Sequence, residues 1–153
     1  MRLIRNSVLV VTCALAAACG SPTSPTDSSL TSTATLVNDV FTGTVGPPVD
    51  GVLQSAFHPF TITTGNTPIL VTLTSAIETF ADGTVLPTVT MALSIGTFAN
   101  NTCTPISGAT VNAQGSASAQ LGGTIGAGAF CVQVADITNQ LGPVQYAITA
   151  QHY

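Results

Sequence analysis

Two histidines, His58 and His152, are the side chains in this sequence best suited to acid–base or metal chemistry near neutral pH. Their positions allow an approach across a β-sheet, but two histidines without a third ligand make an incomplete zinc site. A hydrolase would combine a histidine with Ser55 or another serine and with Asp136, yet no G-x-S-x-G nucleophile elbow is present. We therefore predict no catalytic residue and no metal site, and interpret both histidines as partly exposed strand residues.

The acidic residues are scattered along the chain and form no dense cluster. Calcium takes six to eight oxygen ligands, several of them from Asp or Glu, so the sequence predicts no calcium site and no cofactor. Asp82, which precedes Gly83, is typical of a turn, and Asp136 is expected to cap backbone amides at the end of a strand.

Four cysteines occur in the chain, at positions 13, 19, 103 and 131. Cys103 and Cys131 have neither a CxxC spacing nor a histidine cluster beside them, which argues against a redox or metal pair. In an oxidising compartment they are expected to form a structural disulfide.

The first 18 residues have the three parts of an export signal: a basic tip with Arg2 and Arg5, an apolar run from Ser7 to Ala18, and small residues at a cleavage site. The apolar run is shorter than the roughly 20 residues that span a bilayer. We predict a signal peptide over residues 1–18 rather than a buried helix of the folded domain.

Two kinds of cleavage compete at the end of this signal, because Ala16–Ala18 also satisfies the rule for ordinary secretory cleavage. The stretch LAAAC, ending at Cys19, resembles a bacterial lipobox, with the leucine one place further from the cysteine than in the commonest pattern. Cysteine parity favours the lipid, because an unmodified Cys19 would be an odd exposed thiol. The resemblance implies a lipid on Cys19 and, with Gly20 following it, transport to the outer membrane or cell surface.

Residues 19–35 follow as a Ser/Thr/Pro-rich segment with a single charge, which is typical of a disordered tether. Because Arg2 and Arg5 are the only two Lys or Arg residues, a processed chain would contain neither. Phosphate backbones are bound chiefly through Lys and Arg, so nucleic acid is excluded as a partner. Salt bridges are likewise expected to play no part in the fold.

Residues 36–153 are enough for one domain with a real core. Short runs rich in Val, Ile, Thr and Phe alternate with Gly, Pro and Asn, which predicts a single antiparallel β-sandwich, jelly-roll-like, of about seven to eight strands. Gly65–Asn66 and Gly126–Gly128 are interpreted as hairpin turns. The predicted strands are 40–45, 55–63, 69–75, 88–95, 117–125, 129–135 and 144–151.

The chain has no Trp, two Tyr and six Phe residues, and so lacks the usual flat platforms for sugar. Phe80, in a predicted loop over residues 76–87, is the one aromatic singled out as a possible exposed contact. The remaining phenylalanines are predicted to fill the core; they are Phe41, Phe57, Phe60, Phe98 and Phe130.

The segments GAFCVQVAD (128–136) and GPVQYAITAQH (142–152) carry a resemblance to a known family, with FHPFTIT, VTLTS and the lone Cys103 upstream. From about Val40 to the C-terminus the order resembles the bacterial pre-peptidase C-terminal domain. That resemblance implies a non-catalytic β-sandwich, found beside secreted enzymes or as a free-standing envelope protein. Some members attached to collagenases bind calcium and collagen, but without a carboxylate cluster that function is not transferred to this chain.

These observations predict a non-catalytic cell-envelope lipoprotein that acts as a binding or scaffold module. Its expected partners are a membrane, through the lipid on Cys19, and another protein or a neutral glycan. A structural surface subunit that associates through sheet edges is the second hypothesis, and a hydrolase is the third. The sequence leaves the ligand and the oligomeric state open.

Overall fold

The computed structural model describes residues 35–153, so the predicted signal peptide, Cys19 and nearly all of the predicted tether lie outside the described residues. The elements of this part of the chain are all strands. Residues 35–153 therefore contain no helix that could cross a membrane. The nine strands are β1 (Val37–Val45), β2 (Ser55–Ile62), β3 (Thr67–Thr79), β4 (Val85–Leu86), β5 (Met91–Ala99), β6 (Thr102–Ala113), β7 (Leu121–Ile125), β8 (Gly128–Ala135) and β9 (Val144–His152).

The strands form two antiparallel sheets that enclose one core. One sheet has the order β1-β9-β3, with β7 paired along the first part of β3 and β4 along its last two residues. The other has the order β2-β8-β5-β6. Apart from β4, the first strand pairs with the last, the second with the second-last, and so on inward to β5 and β6. That is the strand order of a jelly roll, and the predicted sandwich is confirmed.

The core follows from period-2 alternation along the strands. In β9 every second residue from Val144 to His152 is buried, and in β8 Phe130, Val132 and Val134 face the same interior. The predicted alternation in β2 is confirmed, with Phe60 and Ile62 buried. Leu70 of β3 is an exception among the aliphatics, because its parity places it on the outer face, where it is 45% exposed.

Two strands, β4 and β6, were not predicted from the sequence. β6 is an edge strand with mostly exposed side chains, so it lacks the buried alternation that reveals a strand. A signal was nevertheless present: Asn100 and Asn101, both at positive φ (50° and 56°), form the two-residue connection between β5 and β6. Asn tolerates this backbone, which the type I′ hairpin turn requires.

Both predicted hairpins are wrong. The turn at Gly65–Asn66 joins β2 to β3, and the turn at Gly126–Gly128 joins β7 to β8, but the strands of each pair belong to different sheets. Turn residues allow the chain to reverse direction without specifying whether the next strand pairs beside the last one or crosses to the facing sheet. In a jelly roll these connections cross.

The predicted disulfide between Cys103 and Cys131 is confirmed, and it joins the start of β6 to β8. It passes close to β5, because a side chain added at Gly96 would meet the sulfur of Cys103 at 3.0 Å. Two of the predicted core phenylalanines lie elsewhere: Phe57 and Phe98 are half-buried outside the core cluster and contact each other, with ring centroids 6.0 Å apart. Their strand parity directs them away from the interior.

Candidate ligand-binding cleft

A cleft of about 310 Å³ opens beside β1 and β2, which are the end strands of their sheets among the described residues and contact each other. It is the place where aromatic, acidic and hydroxyl groups of both sheets come together. The cleft is lined by Val37, Asp39, Phe41, Pro59, Phe60, Thr61, Thr63, His152 and Tyr153.

Asp39 of β1 and His152 of β9 form a hydrogen-bonded pair at this cleft, with 3.0 Å between Oδ2 and Nε2. Because Val37 lies opposite His152 in the β1–β9 register, Asp39 is its diagonal neighbour on the same face. The expectation that salt bridges play no part did not foresee this contact between an imidazole and a carboxylate. His152 is 4% exposed, so the expectation of a partly exposed histidine is wrong for this residue.

His58 of β2 reaches across to the opposite sheet, where its Nε2 is 2.8 Å from the hydroxyl of Tyr146. Gly43 lies opposite Tyr146 in the register and makes this possible, since any side chain there would collide with the tyrosine hydroxyl. Burial lowers the pKa of His58 and raises that of Tyr146. Both shifts favour the uncharged forms, so this is a hydrogen bond between neutral groups.

The two histidines are linked by a continuous series of ring contacts and do not pair with each other. His58 stacks on Phe41 at 5.0 Å between centroids, and His152 stacks on Phe60 at 5.6 Å. Phe41 and Phe60 in turn contact each other at 6.4 Å. The histidines therefore fill the positions of aromatic residues in the packing between β1 and β2.

Ser55 and Asp136 do not come together with the histidines. Ser55 and His58 are three residues apart in one strand, so they face opposite sides of the sheet. Asp136 is buried away from both histidines, where its carboxylate accepts a hydrogen bond from the Asn139 amide at 3.2 Å. The predicted capping role of Asp136 is thereby confirmed.

Within residues 35–153, no three of the His, Cys, Asp and Glu side chains come together in a group that could hold a metal ion. Asp82 acts at the predicted turn, where its carboxylate accepts a hydrogen bond from the Thr84 amide at 2.8 Å. Gly83 adopts a φ of 83° in the same turn.

Phe80, the predicted contact, lies at the turn between β3 and β4 and does not line the cleft. Its amide donates to the carbonyl of Thr84 at 2.8 Å, and its side chain is half-buried. The loop around it is shorter than predicted, because β3 continues to Thr79.

Sequence reasoning did not single out Asp39, Phe41 or Tyr146 as members of a site. Each lies at an inward position of its strand, where an alternating pattern predicts only a core residue. The available signal was Asp39 itself, an acidic residue at an inward position of β1. A carboxylate that is largely removed from water needs a hydrogen-bond partner.

The lowered pKa of His58 predicts a pH effect on stability. The unfolded chain protonates His58 near the ordinary histidine value of about 6.5, whereas the folded protein resists protonation there. As pH falls through that range the unfolded state binds more protons, so the free energy of unfolding decreases. His58→Phe should show a smaller decrease between pH 8 and pH 5 in denaturant unfolding than the parent protein. Equal decreases in both proteins would contradict this assignment.

No protein-family model, curated protein or solved structure matches this chain.

Proposed function

We propose that this protein is a non-catalytic binding or scaffold module of the bacterial cell envelope, lipid-anchored through Cys19 and exposed at the outer membrane or cell surface. The observation that carries its non-catalytic part is the orientation of His152 at the cleft, and the lipid anchor rests on the sequence around Cys19. The cleft contains groups that can hold a ligand, but neither ring nitrogen of His152 is placed to act as a general base.

A carboxylate only accepts hydrogen bonds, so His152 donates to Asp39 from Nε2. In the neutral ring the proton-accepting nitrogen is then Nδ1, which is buried and without a hydrogen-bond partner among the described residues. A general base must reach the proton that it removes, either directly or through one water. The nitrogen that could accept a proton here has no access to a substrate in the cleft.

The same cleft has the composition of a small-molecule site. Apolar and aromatic walls with a few placed polar groups are typical of such sites, and a volume of about 310 Å³ is at the lower end of their range. The described residues contain no Lys or Arg, so anionic polymers are disfavoured as ligands. A small ligand, a neutral glycan or another protein fits these constraints.

The proposal is tested by assaying the purified full chain beside His58→Ala and His152→Ala for esterase, glycosidase and peptidase turnover. We expect no turnover above the buffer rate in any of the three proteins. Turnover by the parent chain that disappears in a histidine variant would overturn the non-catalytic function.

Membrane attachment has a test of its own. We expect Cys19→Ser to abolish incorporation of labelled palmitate and to release the protein from the membrane fraction, because diacyl anchoring, unlike a single acyl chain, holds a protein stably. Cys13→Ser is the matched control, since that cysteine leaves with the signal peptide and should not affect retention. Retention of the Cys19→Ser protein on membranes would contradict the lipid anchor.

A structural subunit that associates through sheet edges is the second candidate, and β1 is the observation that favours it. β1 pairs with β9 over nine consecutive residues without a register shift, and it contains no Pro and no Lys. The end strands of the other sheet are interrupted, by Pro59 in β2 and by Pro105 with a register shift in β6. Prolines and bulges guard sheet edges against pairing, so β1 is the less protected edge.

Light scattering over a range of concentrations separates the two candidates. A binding module should remain monomeric, whereas an edge-associating subunit should grow in mass with concentration. Val40→Lys, which places a charge at a 67% exposed position of β1, should then reverse that growth.

A further inference from the structure

The cleft between β1 and β2 contains one carboxylate that is available to a ligand. The Asp39 side chain is about a third exposed (33%), and its Oδ2 is bound to His152. Its second oxygen, Oδ1, makes no hydrogen bond to any residue of 35–153. One oxygen of the carboxylate is thus held by the protein, while the other has no partner in residues 35–153 and is not among the buried polar atoms.

No cation of the folded domain neutralises this carboxylate when His152 is in its neutral form, because residues 35–153 contain no Lys or Arg. The four other acidic residues of this region add to the negative field; they are Asp50, Glu78, Asp82 and Asp136. A negatively charged cleft in a domain of the same sign attracts and concentrates cations.

Aromatic rings make up much of the remaining wall. Phe41 and Tyr153 line the cleft together with Asp39, and Tyr153 is 39% exposed. Phe60 also borders the cleft but is 7% exposed, with His152 stacked on its ring. Cations are attracted to the faces of aromatic rings, and quaternary ammonium groups are recognised by cages of such rings. A primary ammonium has three N–H donors to satisfy. A quaternary ammonium has none, so ring faces and a counter-ion are sufficient to hold it.

We propose that this cleft binds a quaternary ammonium group, with Asp39 as its counter-ion and Phe41 and Tyr153 as its aromatic walls. This inference rests on the proposed binding function and names the ligand class. The group can belong to a free solute of the choline type or to a choline headgroup at a lipid surface.

The probe is choline, compared with 3,3-dimethylbutan-1-ol, which has the same shape with carbon in place of the charged nitrogen. The full chain is titrated with each at pH 8 and followed by amide chemical shifts. We expect choline to shift the signals of Thr61, Thr63 and Tyr153 saturably, and the neutral analogue to bind about tenfold more weakly or not at all.

Two cleft variants and one matched control test the residues. Asp39→Asn retains an oxygen that can accept the His152 hydrogen bond but removes the charge, and should weaken choline about tenfold. Asp50→Asn removes the same charge at an exposed position outside the cleft and should leave affinity within about twofold. Tyr153→Ala removes one exposed ring at the end of the chain and should weaken choline by about two- to fivefold.

Competition by phosphatidylcholine vesicles separates the two sources. Vesicles that displace choline, and that bind the parent chain better than Asp39→Asn, identify a headgroup. Choline binding that is indifferent to such vesicles identifies a free solute.

The inference is overturned if choline causes no saturable shifts at the cleft, or if the neutral analogue binds as tightly. The second result would show that charge has no part in recognition, and the assignment of Asp39 as counter-ion would be wrong. The proposed non-catalytic function is judged separately by the turnover assays, so each can fail without the other.

Discussion

The double variant Cys103→Ala/Cys131→Ala should lose about 3–4 kcal/mol of unfolding free energy, measured by urea denaturation against the oxidised parent protein. The disulfide closes a loop with a sequence separation of 28 residues, which restricts the unfolded chain. Most small domains have only about 5–15 kcal/mol in total, so this loss is a large share.

Reduction of the parent protein is the matched control for the double variant. The reduced protein keeps both sulfur atoms and loses only the covalent link, whereas the variant also removes the fully buried sulfur of Cys131. The reduced protein should therefore unfold between the oxidised parent and the variant. Equal midpoints for oxidised and reduced protein would contradict a stabilising disulfide.

Glu78 is expected to show the second large effect, although nothing in the sequence marks it. It is 1% exposed, and its Oε1 accepts hydrogen bonds from two consecutive backbone amides, of Leu141 at 2.5 Å and Gly142 at 2.7 Å. These amides belong to the connection between β8 and β9. The carboxylate therefore ties that connection to β3.

Glu78→Ala should destabilise the fold by about 3–5 kcal/mol, because it leaves two backbone amides without their acceptor and an unsatisfied buried donor costs about 1–3 kcal/mol. The measurement is denaturant unfolding, with amide hydrogen exchange at Leu141 and Gly142 as a local readout. Both amides should exchange much faster in the variant.

Glu78→Gln is the matched control, since its side-chain oxygen can still accept from the same amides without a charge. It should cost clearly less than Glu78→Ala and should preserve most of the protection at Gly142. Equal losses in the two variants would show that the size of the side chain, rather than its hydrogen bonds, stabilises this connection.

Gly142 illustrates why the role of Glu78 could not be predicted from the sequence. The sequence allows this glycine to be an ordinary turn residue, but a side chain there would collide with the carbonyl oxygen of Thr79. The close approach of two segments over 60 residues apart leaves no local pattern for the sequence to reveal. Interpreting residues 76–87 as a loop also placed Glu78 outside any strand.

The composition and the local patterns of the chain were sufficient for several conclusions. Alternation in segments such as Phe60–Thr63 indicates strands, because the pleat of an extended backbone sends successive side chains to opposite faces. The pairing of Cys103 with Cys131 followed from counting cysteines. The lack of Lys and Arg beyond Arg5 is a property of the sequence in any fold.

Only the tertiary structure shows which strands share a sheet, and therefore which side chains meet at the cleft. Asp39 and His152 are 113 residues apart, and His58 and Tyr146 are 88 residues apart, yet each pair is within hydrogen-bond distance. Period-2 alternation identifies which face of a strand is buried but not which strand lies opposite. Those contacts depend on the antiparallel register between β1 and β9 and on the crossing of β2 to the other sheet, and both are set by packing across the core rather than by neighbours in sequence.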